Sequence, residues 1–418
     1  MQIPGVPESL LAALLVAARG CRLALVGGAV RDLLLHRQHQ DPWRGLPDLD
    51  LVVEGRAIEL IEPLKAELYK IWGDHVQLSA RVHGRYQTVE LELQLSDQTW
   101  LLDLASARHE TYLRPAWNPD VELGCLEDDL VRRDFTVNAI ALDLQTGGLI
   151  DPFSGQDDLA RRQLRFLHAK SLSDDPSRLI RAARYAARLQ FDMAPESLVQ
   201  IKDSLREWPW PPLPIQDPEM VPPALGVRLR RELELLLEKE PWQQALEFLQ
   251  RCGGFALLDQ SLQHDSTWSH RLTLANHYQL PRLLCLIAAS KNACDLASRL
   301  QLPQSQQKLL VQMQRLTSQL QSLERSNASA SLPASVWCQI LEDPIKNPSA
   351  VALAYVTGAQ PTRALHQWLE SWQYVRSPVD GATLRREGWA QGKLLGDELK
   401  RRRMNALDLM PRYHDTSD

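Results

Sequence analysis

The sequence predicts an α+β protein: a small mixed β-sheet head at the N-terminus, then helices to the end of the chain. Three observations predict it. Alternation of strand type, with β-branched and aromatic residues, is confined to the first third and is clearest from His75 to Leu104. After about residue 150, Leu, Ala, Arg, Gln and Glu dominate, and apolar residues recur at helical spacing. The chain has 418 residues, enough for several domains at roughly 100–200 residues each.

Taken in order, Pro7 to Arg19 read as a short amphipathic helix that Gly20 ends. Leu23 to Val26 make an apolar strand, with Gly27-Gly28 immediately after it and a helix from Ala29 to Leu35. A polar loop with Pro42, Gly45 and Pro47 leads to the next strand, Asp48 to Val53. In the helical remainder the period runs through Pro176–Leu189, Leu225–Leu237 and Trp242–Leu249. Between them, Trp208 to Pro223 carries seven prolines, which excludes a helix interior and predicts a loop or rigid linker. From about residue 262 the chain is helix-rich again, with a polar Ser/Gln/Asn stretch at Gln301–Ser331. The expected divisions are a head over 1–145, a first helical segment over 146–261 and a second over 262–418.

Composition removes several classes. Hydrophobic residues are 44% and charged residues 24%, as in a globular protein with a core. A net charge of −5 argues against indiscriminate binding to a polyanion, so an RNA partner would need locally concentrated basic residues. Six scattered cysteines form no CxxC pair, which excludes a zinc ribbon and fits reduced thiols. Glu8 precedes the apolar stretch Leu10–Ala18 and no basic residue does, unlike a secretory leader. No apolar run reaches the roughly 20 residues of a membrane span. A cytoplasmic protein with no membrane partner is expected; the sequence sets no oligomeric state.

Four constellations carry chemistry. In the first, Leu25-Val-Gly-Gly-Ala-Val-Arg-Asp32 precedes Asp48-Leu-Asp50. Gly27 and Gly28, between strand and helix, let backbone amides approach phosphate at a helix N-terminus, with Arg31 and Asp32 beside them. Asp48 and Asp50, two apart in a strand, share one face about 6–7 Å apart, while Leu49 and Leu51 face the core. Paired carboxylates repel unless cations sit between them. Divalent ions about 3.5–4 Å apart suit an in-line phosphoryl displacement, and hard oxygen ligands with phosphates favour Mg²⁺. Asp103, in Leu-Leu-Asp-Leu-Ala-Ser-Ala-Arg108, is the best placed third carboxylate; the alternative is a strand-end acid paired with Arg108.

The second constellation is Asp129-Leu-Val-Arg-Arg-Asp-Phe-Thr-Val-Asn138. Arg132 and Arg133 offer planar donors for phosphate, and Asp134 an acceptor for a ribose hydroxyl. Read alone, Arg-Arg-Asp is a solvated cluster, and Asn138 is equally a cap or turn. The third, Asp151-Pro-Phe-Ser-Gly-Gln-Asp-Asp-Leu159, is a tight connection, either a plain turn or a joint between sheet and helices. The fourth, Asp174-Asp-Pro-Ser-Arg178, opens a helix with ordinary capping residues. Behind it Arg178, Arg181, Arg184 and Arg188 recur along one side, ordinarily a solvated face and alternatively one turned to phosphates or a base edge. Asp175 and Arg178 could offer an acceptor and a donor to a nucleobase.

Together these motifs resemble the bacterial-type (class II) tRNA nucleotidyltransferase and poly(A) polymerase family, in order and spacing over roughly residues 22–260. The resemblance implies a nucleotidyltransferase head, then a helical neck, body and tail along which tRNA lies. It implies metal binding by Asp48 and Asp50, catalysis by these with Asp103, and ribose recognition around Arg132–Asp134. Asp175 and Arg178 would act as a protein template for CTP and ATP, with Arg181 beside them. Ala107–Pro119 takes the position of the family's flexible loop, which favours addition of a terminal A or of full CCA over CC alone. Asp174 stands where the family commonly has Glu. His264-Asp265 lacks the further ligands of an appended phosphohydrolase domain. Lys400–Arg403 could touch an RNA backbone, or form a solvated helix end. The rivals are a poly(A) polymerase acting on other RNA ends and a catalytically silent RNA-binding homologue.

Overall fold

A computed structural model describes residues 2–45, 48–84, 88–95, 97–207, 220–326, 332–342 and 347–410. Most of the proline-rich segment, 208–219, lies outside the described residues. The chain divides into two compact units, the first running to residue 257 and the second from residue 258.

The first unit opens with α1 (Glu8–Ala17), β1 (Leu23–Val26) and α2 (Gly28–His39). It continues with β2 (Leu49–Val53), α3 (Ile61–Trp72), β3 (Val76–His83), β4 (Thr88–Leu95) and β5 (Gln98–Ser106). Next come β6 (Arg108–Thr111), β7 (Asp120–Leu123), α4 (Leu126–Val131), β8 (Ala141–Asp143) and β9 (Leu149–Ile150). Seven of these strands form one sheet in the order β3-β4-β5-β2-β1-β8-β9. Only β2 and β5 run parallel, so the sheet is mixed, as expected. It extends to Ile150. Alternation places each strand's apolar residues on the packed face: Val89, Leu91 and Leu93 of β4 and Leu102 and Leu104 of β5 are buried. The opposite face keeps the polar set, and register aligns it into a row. Asp50 pairs with Asp103, Asp103 with Glu90, and Glu90 with Arg81.

The helices that follow are α5 (Gly155–Arg161), α6 (Ser171–Asp174), α7 (Arg178–Leu189), α8 (Pro195–Glu207), α9 (Val227–Lys239) and α10 (Trp242–Arg251). The turn at Asp151–Asp158 seats α5 tightly. Asp151 accepts from the amides of Gly155 and Gln156 at 2.7 and 2.9 Å. A Cβ on Gly155 would come within 2.3 Å of the Thr136 carbonyl, so only glycine fits. Buried Asp158 accepts from Thr136 Oγ1 at 2.7 Å and from Arg165.

The arginine stripe of α7 is not a solvated face. Arg178 and Arg184 are buried. Arg184 donates to Glu232 of α9 and, at 3.1 Å, to Glu240. Arg188 also donates to Glu240, and Arg181 to Glu232 at 3.1 Å. The glutamates that neutralise the stripe lie 48–56 residues downstream, beyond the reach of local pattern.

The second unit is helical from α11 (Trp268–His277) through α12 (Arg282–Ile287) and α13 (Ala293–Arg299). The polar Gln301–Ser331 stretch contributes α14 (Gln304–Arg325), which buries one thin stripe of Leu310, Met313, Leu316 and Leu320. Then follow α15 (Ala334–Leu341), α16 (Pro348–Val356), α17 (Thr362–Glu370), α18 (Gly381–Arg386) and α19 (Lys393–Asp408). Helix α19 carries the basic run, and its arginines are engaged internally. Arg401 and Arg402 donate to Glu398, and Arg403 to Glu342 at 2.6 Å. Asp265 caps its own turn through Thr267 and holds Arg271. No helix among the described residues is long and apolar enough to cross a membrane.

Candidate active site

The site is built where β1 gives way to α2. Gly27 has φ +70°, and a Cβ there would meet Asp50 Oδ2 at 3.0 Å and the Arg133 guanidinium at 3.1 Å. Glycine therefore satisfies both the backbone conformation and the close passage of the turn over the acid. Gly27 and Gly28 line a cavity of about 640 Å³ together with Asp50, Arg132, Arg133 and Asp134. The far wall comes from the helical segment: Asp175, Arg178, Arg181, Tyr185, Arg228 and Glu232. Residues read as separate motifs over some 150 positions thus share one space. A second cavity of about 290 Å³ adjoins Asp50, with Asp103 and Glu90 in its wall.

Asp48 is exposed just before β2, and Asp50 is half-buried in it, between buried Leu49 and Leu51. Burial pushes the Asp50 carboxyl up to about 6; Arg133 and Arg31 counter this, while Asp103 and Asp48 add to it. Burial likewise raises the Asp103 carboxyl, helped by Glu90 and Asp48. Burial is the main cause of both shifts, and the neighbouring carboxylates add a smaller part. The donor set is hard oxygen. Among the described residues, no three His, Cys, Asp or Glu are gathered to hold an ion unaided. Two carboxylates completed by phosphate and water fit Mg²⁺. Arg108 donates to Glu110 at 2.8 Å.

The arginines at the start of the site are ordered from behind. Buried Asp129 accepts from Arg132 at 2.6 Å and Arg133 at 2.9 Å. Burial works to raise the Asp129 carboxyl, but the two guanidinium groups hold it below its ordinary value. Among the described residues, Arg133 Nε is buried without a hydrogen-bond partner. An unsatisfied cation donor beside Asp50 is what an anionic oxygen would complete.

Asp134 sits deeper than a ribose acceptor on an open surface. Its Oδ1 accepts from the Phe135 amide at 2.8 Å and Asn138 Nδ2 at 2.9 Å, and its Oδ2 from Arg181 Nε at 2.7 Å. Burial favours its neutral form, but Arg181 and Asn138 hold it charged, below its usual range. Asn138 Oδ1 in turn accepts from Arg31 at 2.8 Å, and Arg31 Nε donates to Asp32 at 2.9 Å. Arg31 and Asp32 are therefore set back from the cavity, bracing Asn138. Three guanidinium groups, Arg31, Arg181 and Arg188, lie 5.3–5.7 Å from the Tyr185 ring centre.

Asp175 and Arg178 reach the same cavity, with partners already in place. Arg178 donates to the carbonyl of Arg132 at 2.7 Å, joining the helical segment to the head. Asp175 accepts from Ser177 Oγ at 2.6 Å and Arg228 at 2.8 Å. The Ala107–Pro119 stretch forms β6 and the approach to β7, a two-stranded arm. Its Glu110 accepts from Arg108 and, at 3.1 Å, from the Tyr112 hydroxyl, and both line the cavity. Sequence reading missed Glu110, Tyr112, Tyr185 and Arg228. The first two follow Arg108 at strand spacing, and Tyr185 stands one helical turn past Arg181, so their shared faces were discoverable.

Residues 23–165 match the description "Poly A polymerase head domain". Over that stretch the chain is similar to this family. The head and its neighbouring helices are similar to a CC-adding tRNA nucleotidyltransferase of Deinococcus radiodurans, 41% identical over 239 residues, 56% of this chain and 55% of that protein. They are also similar to an A-adding tRNA nucleotidyltransferase of Aquifex aeolicus, 34% identical over 240 residues, 55% of this chain and 25% of that protein. The chain spans about half the length of the first and a quarter of the second. A solved CCA-adding enzyme in an apo form shares the fold with a TM-score of 0.68 and 24% identity, over 99% of this chain and 94% of that one.

Proposed function

We propose that the protein transfers nucleotides from CTP, ATP or both to the 3′ end of tRNA, adding CCA or part of it without a template strand. The observation that carries this is the single cavity joining Asp50, Arg132 and Arg133 of the head to Asp175 and Arg178 of the helices. Phosphate chemistry lies at one end and base-edge donors and acceptors at the other. The ordered arm bearing Glu110 and Tyr112 favours a terminal A or full CCA as the product. The protein works in the cytoplasm; all six of its cysteines are free thiols.

Asp48 and Asp50 would hold Mg²⁺, which neutralises phosphate charge and lowers the pKa of the attacking hydroxyl when bound. The amides of Gly27 and Gly28 and the guanidinium groups of Arg132 and Arg133 receive the triphosphate. The RNA 3′ oxygen bonds to the α-phosphorus, the bond from that phosphorus to the bridging oxygen of the β-phosphate breaks, and pyrophosphate leaves. Asp103, with its carboxyl raised, accepts the hydroxyl proton. Asp134 and Asn138 orient the ribose side, with Arg181 fixing Asp134. Asp175 and Arg178 meet the base edge.

The test is direct. The chain is incubated with Mg²⁺ and tRNAs ending before CCA, after C and after CC, with CTP and ATP separately and together. A non-tRNA RNA serves as control. Defined addition to tRNA is expected, and open-ended A-tailing of the control would instead identify a poly(A) polymerase. Asp48→Ala or Asp50→Ala should reduce transfer by roughly 10²–10³-fold, the loss typical of removing one preorganised charge-stabilising group. Unchanged rates in both variants would refute the mechanism.

A further inference from the structure

On β3, Val76, Leu78, Ala80 and Val82 alternate with Gln77, Ser79, Arg81 and His83, so the polar four share one face of the sheet. Register sets Arg81 beside Glu90, Glu90 beside Asp103 and Asp103 beside Asp50. The row thus runs from the catalytic acids to a cation at the sheet's edge, where β3 is the outermost strand. Neighbouring strands stand about 4.8 Å apart, which puts Arg81 roughly 10 Å from Asp103 along the row. Glu90 is held mainly by His83, whose Nε2 lies 3.1 Å from Oε1, while Arg81 Nη1 stays a loose 3.7 Å from Oε2. The Arg81 side chain remains 78% exposed, so its guanidinium faces water and can meet another anion. The two cavities at Asp50 add a second observation. Both have Asp50, Thr88, Arg108, Arg132 and Arg133 in their walls. An in-line displacement brings two reactants to one phosphorus, the attacking oxygen opposite the leaving one. The larger cavity offers the glycine turn and guanidinium groups that suit a triphosphate. The sheet side of the smaller one carries Asp50, Asp103 and Glu90, which repel a triphosphate and suit an uncharged ribose hydroxyl.

We propose that Arg81 is a positioning residue for the RNA: the smaller cavity receives the terminal ribose, and Arg81, at the far end of the acidic row, binds a phosphate close to the 3′ end. The inference rests on the reading that this site extends an RNA. Its basis is charge. A strand whose last oxygen reaches Asp103 must carry its own phosphates past Asp103 and Glu90, and like charges there push it away. A cation just beyond them gives the backbone one favourable place to lie, so the strand end is drawn along the row and not off the sheet. His83 contributes indirectly, by occupying Glu90 and leaving the guanidinium of Arg81 to the RNA. An exposed contact of this kind depends on the charge more than on the fork, so Arg81→Lys keeps it.

A cycle that removes each partner of the contact in turn tests this on the full chain in Mg²⁺. Two tRNAs serve, one ending before CCA and one after CC, each made with ordinary linkages and again with its last two linkages as uncharged methylphosphonates. With the ordinary RNA, Arg81→Gln should lower kcat/KM for RNA about fivefold, the scale of one exposed ion pair, and leave KM for the nucleotide unchanged. With the uncharged RNA, wild type and Arg81→Gln should perform alike, because the contact is already gone. Arg81→Lys should restore the difference between the two RNAs. The same fivefold loss on both RNAs would show that Arg81 only balances Glu90, and no loss on either would show that the strand lies elsewhere; both overturn the proposal. Wild-type protein that extends neither ordinary tRNA would sink the nucleotide-transfer reading itself, whereas extension without the coupling sinks only the role of Arg81.

Discussion

Asp50 is held in a place that disfavours its charge. A carboxyl raised from its ordinary value near 4 to about 6 lowers the fold's stability once ionised, and that cost grows as pH rises across this interval. Near neutral pH, Asp50→Asn should therefore raise the melting temperature of the metal-free protein. In the wild type, Mg²⁺ should raise it too, because a ligand bound only by the folded state stabilises that state. Titrating Mg²⁺ against melting temperature for both proteins checks the pair of effects. A magnesium response retained in full by Asp50→Asn would exclude Asp50 as a ligand. The opposite logic holds for Asp134 and Asp129, which have been moved below their ordinary values by arginine neighbours. Their contribution is complete above about pH 4, the unfolded value, and drains away as pH falls through the lower folded values. Acid titration of the first unit, followed by near-ultraviolet circular dichroism, should show packing lost below about pH 4. Asp134→Asn should blunt that acid dependence.

Helix α7 shows at the scale of an element what sequence could and could not reveal. Its length, its start near Asp175 and its buried Ile180 and Ala183 followed from spacing alone. The fate of its arginines did not, since Glu232 and Glu240 sit on or just beyond another helix and reach them only in the folded chain. Glu240 is 1% exposed at its side chain and serves both Arg184 and Arg188. Breaking such a buried pair costs about 3 kcal/mol or more because a charge is left without compensation. Glu240→Ala should lower the unfolding free energy of the first unit by about that amount in urea titration, and a change below about 0.5 kcal/mol would show the cluster to be solvated after all. The glycine turn and the strand carrying Asp50 were readable because their pattern is local, although Asp48 stands just before that strand. The surroundings of Arg31 were hidden for the same reason as those of α7. Its neighbours in sequence pointed to a ligand, while its partner Asn138 lies 107 residues away. The arm holding Glu110 and Tyr112 was visible as a segment, but its two-stranded form and its contact with the cavity depended on residues beyond it.

Across the whole molecule, the proposed chemistry is confined to the first unit, while the second contributes helices, among them α19 with Arg401, Arg402 and Arg403 paired to glutamates. The net charge of −5 is compatible with an RNA substrate because the basic groups that matter converge on one cavity instead of being spread over a surface. The chain of polar contacts from Asp32 through Arg31, Asn138, Asp134, Arg181, Glu232 and Arg184 to Glu240 carries a lesson for anyone building hybrids. A head transplanted from a relative onto these helices inherits a socket already wired to Arg181. Unless the donor supplies an acid at the position of Asp134, the graft takes from Arg181 its closest acid and leaves it to share Glu232 with Arg184, however well its own catalytic acids are preserved.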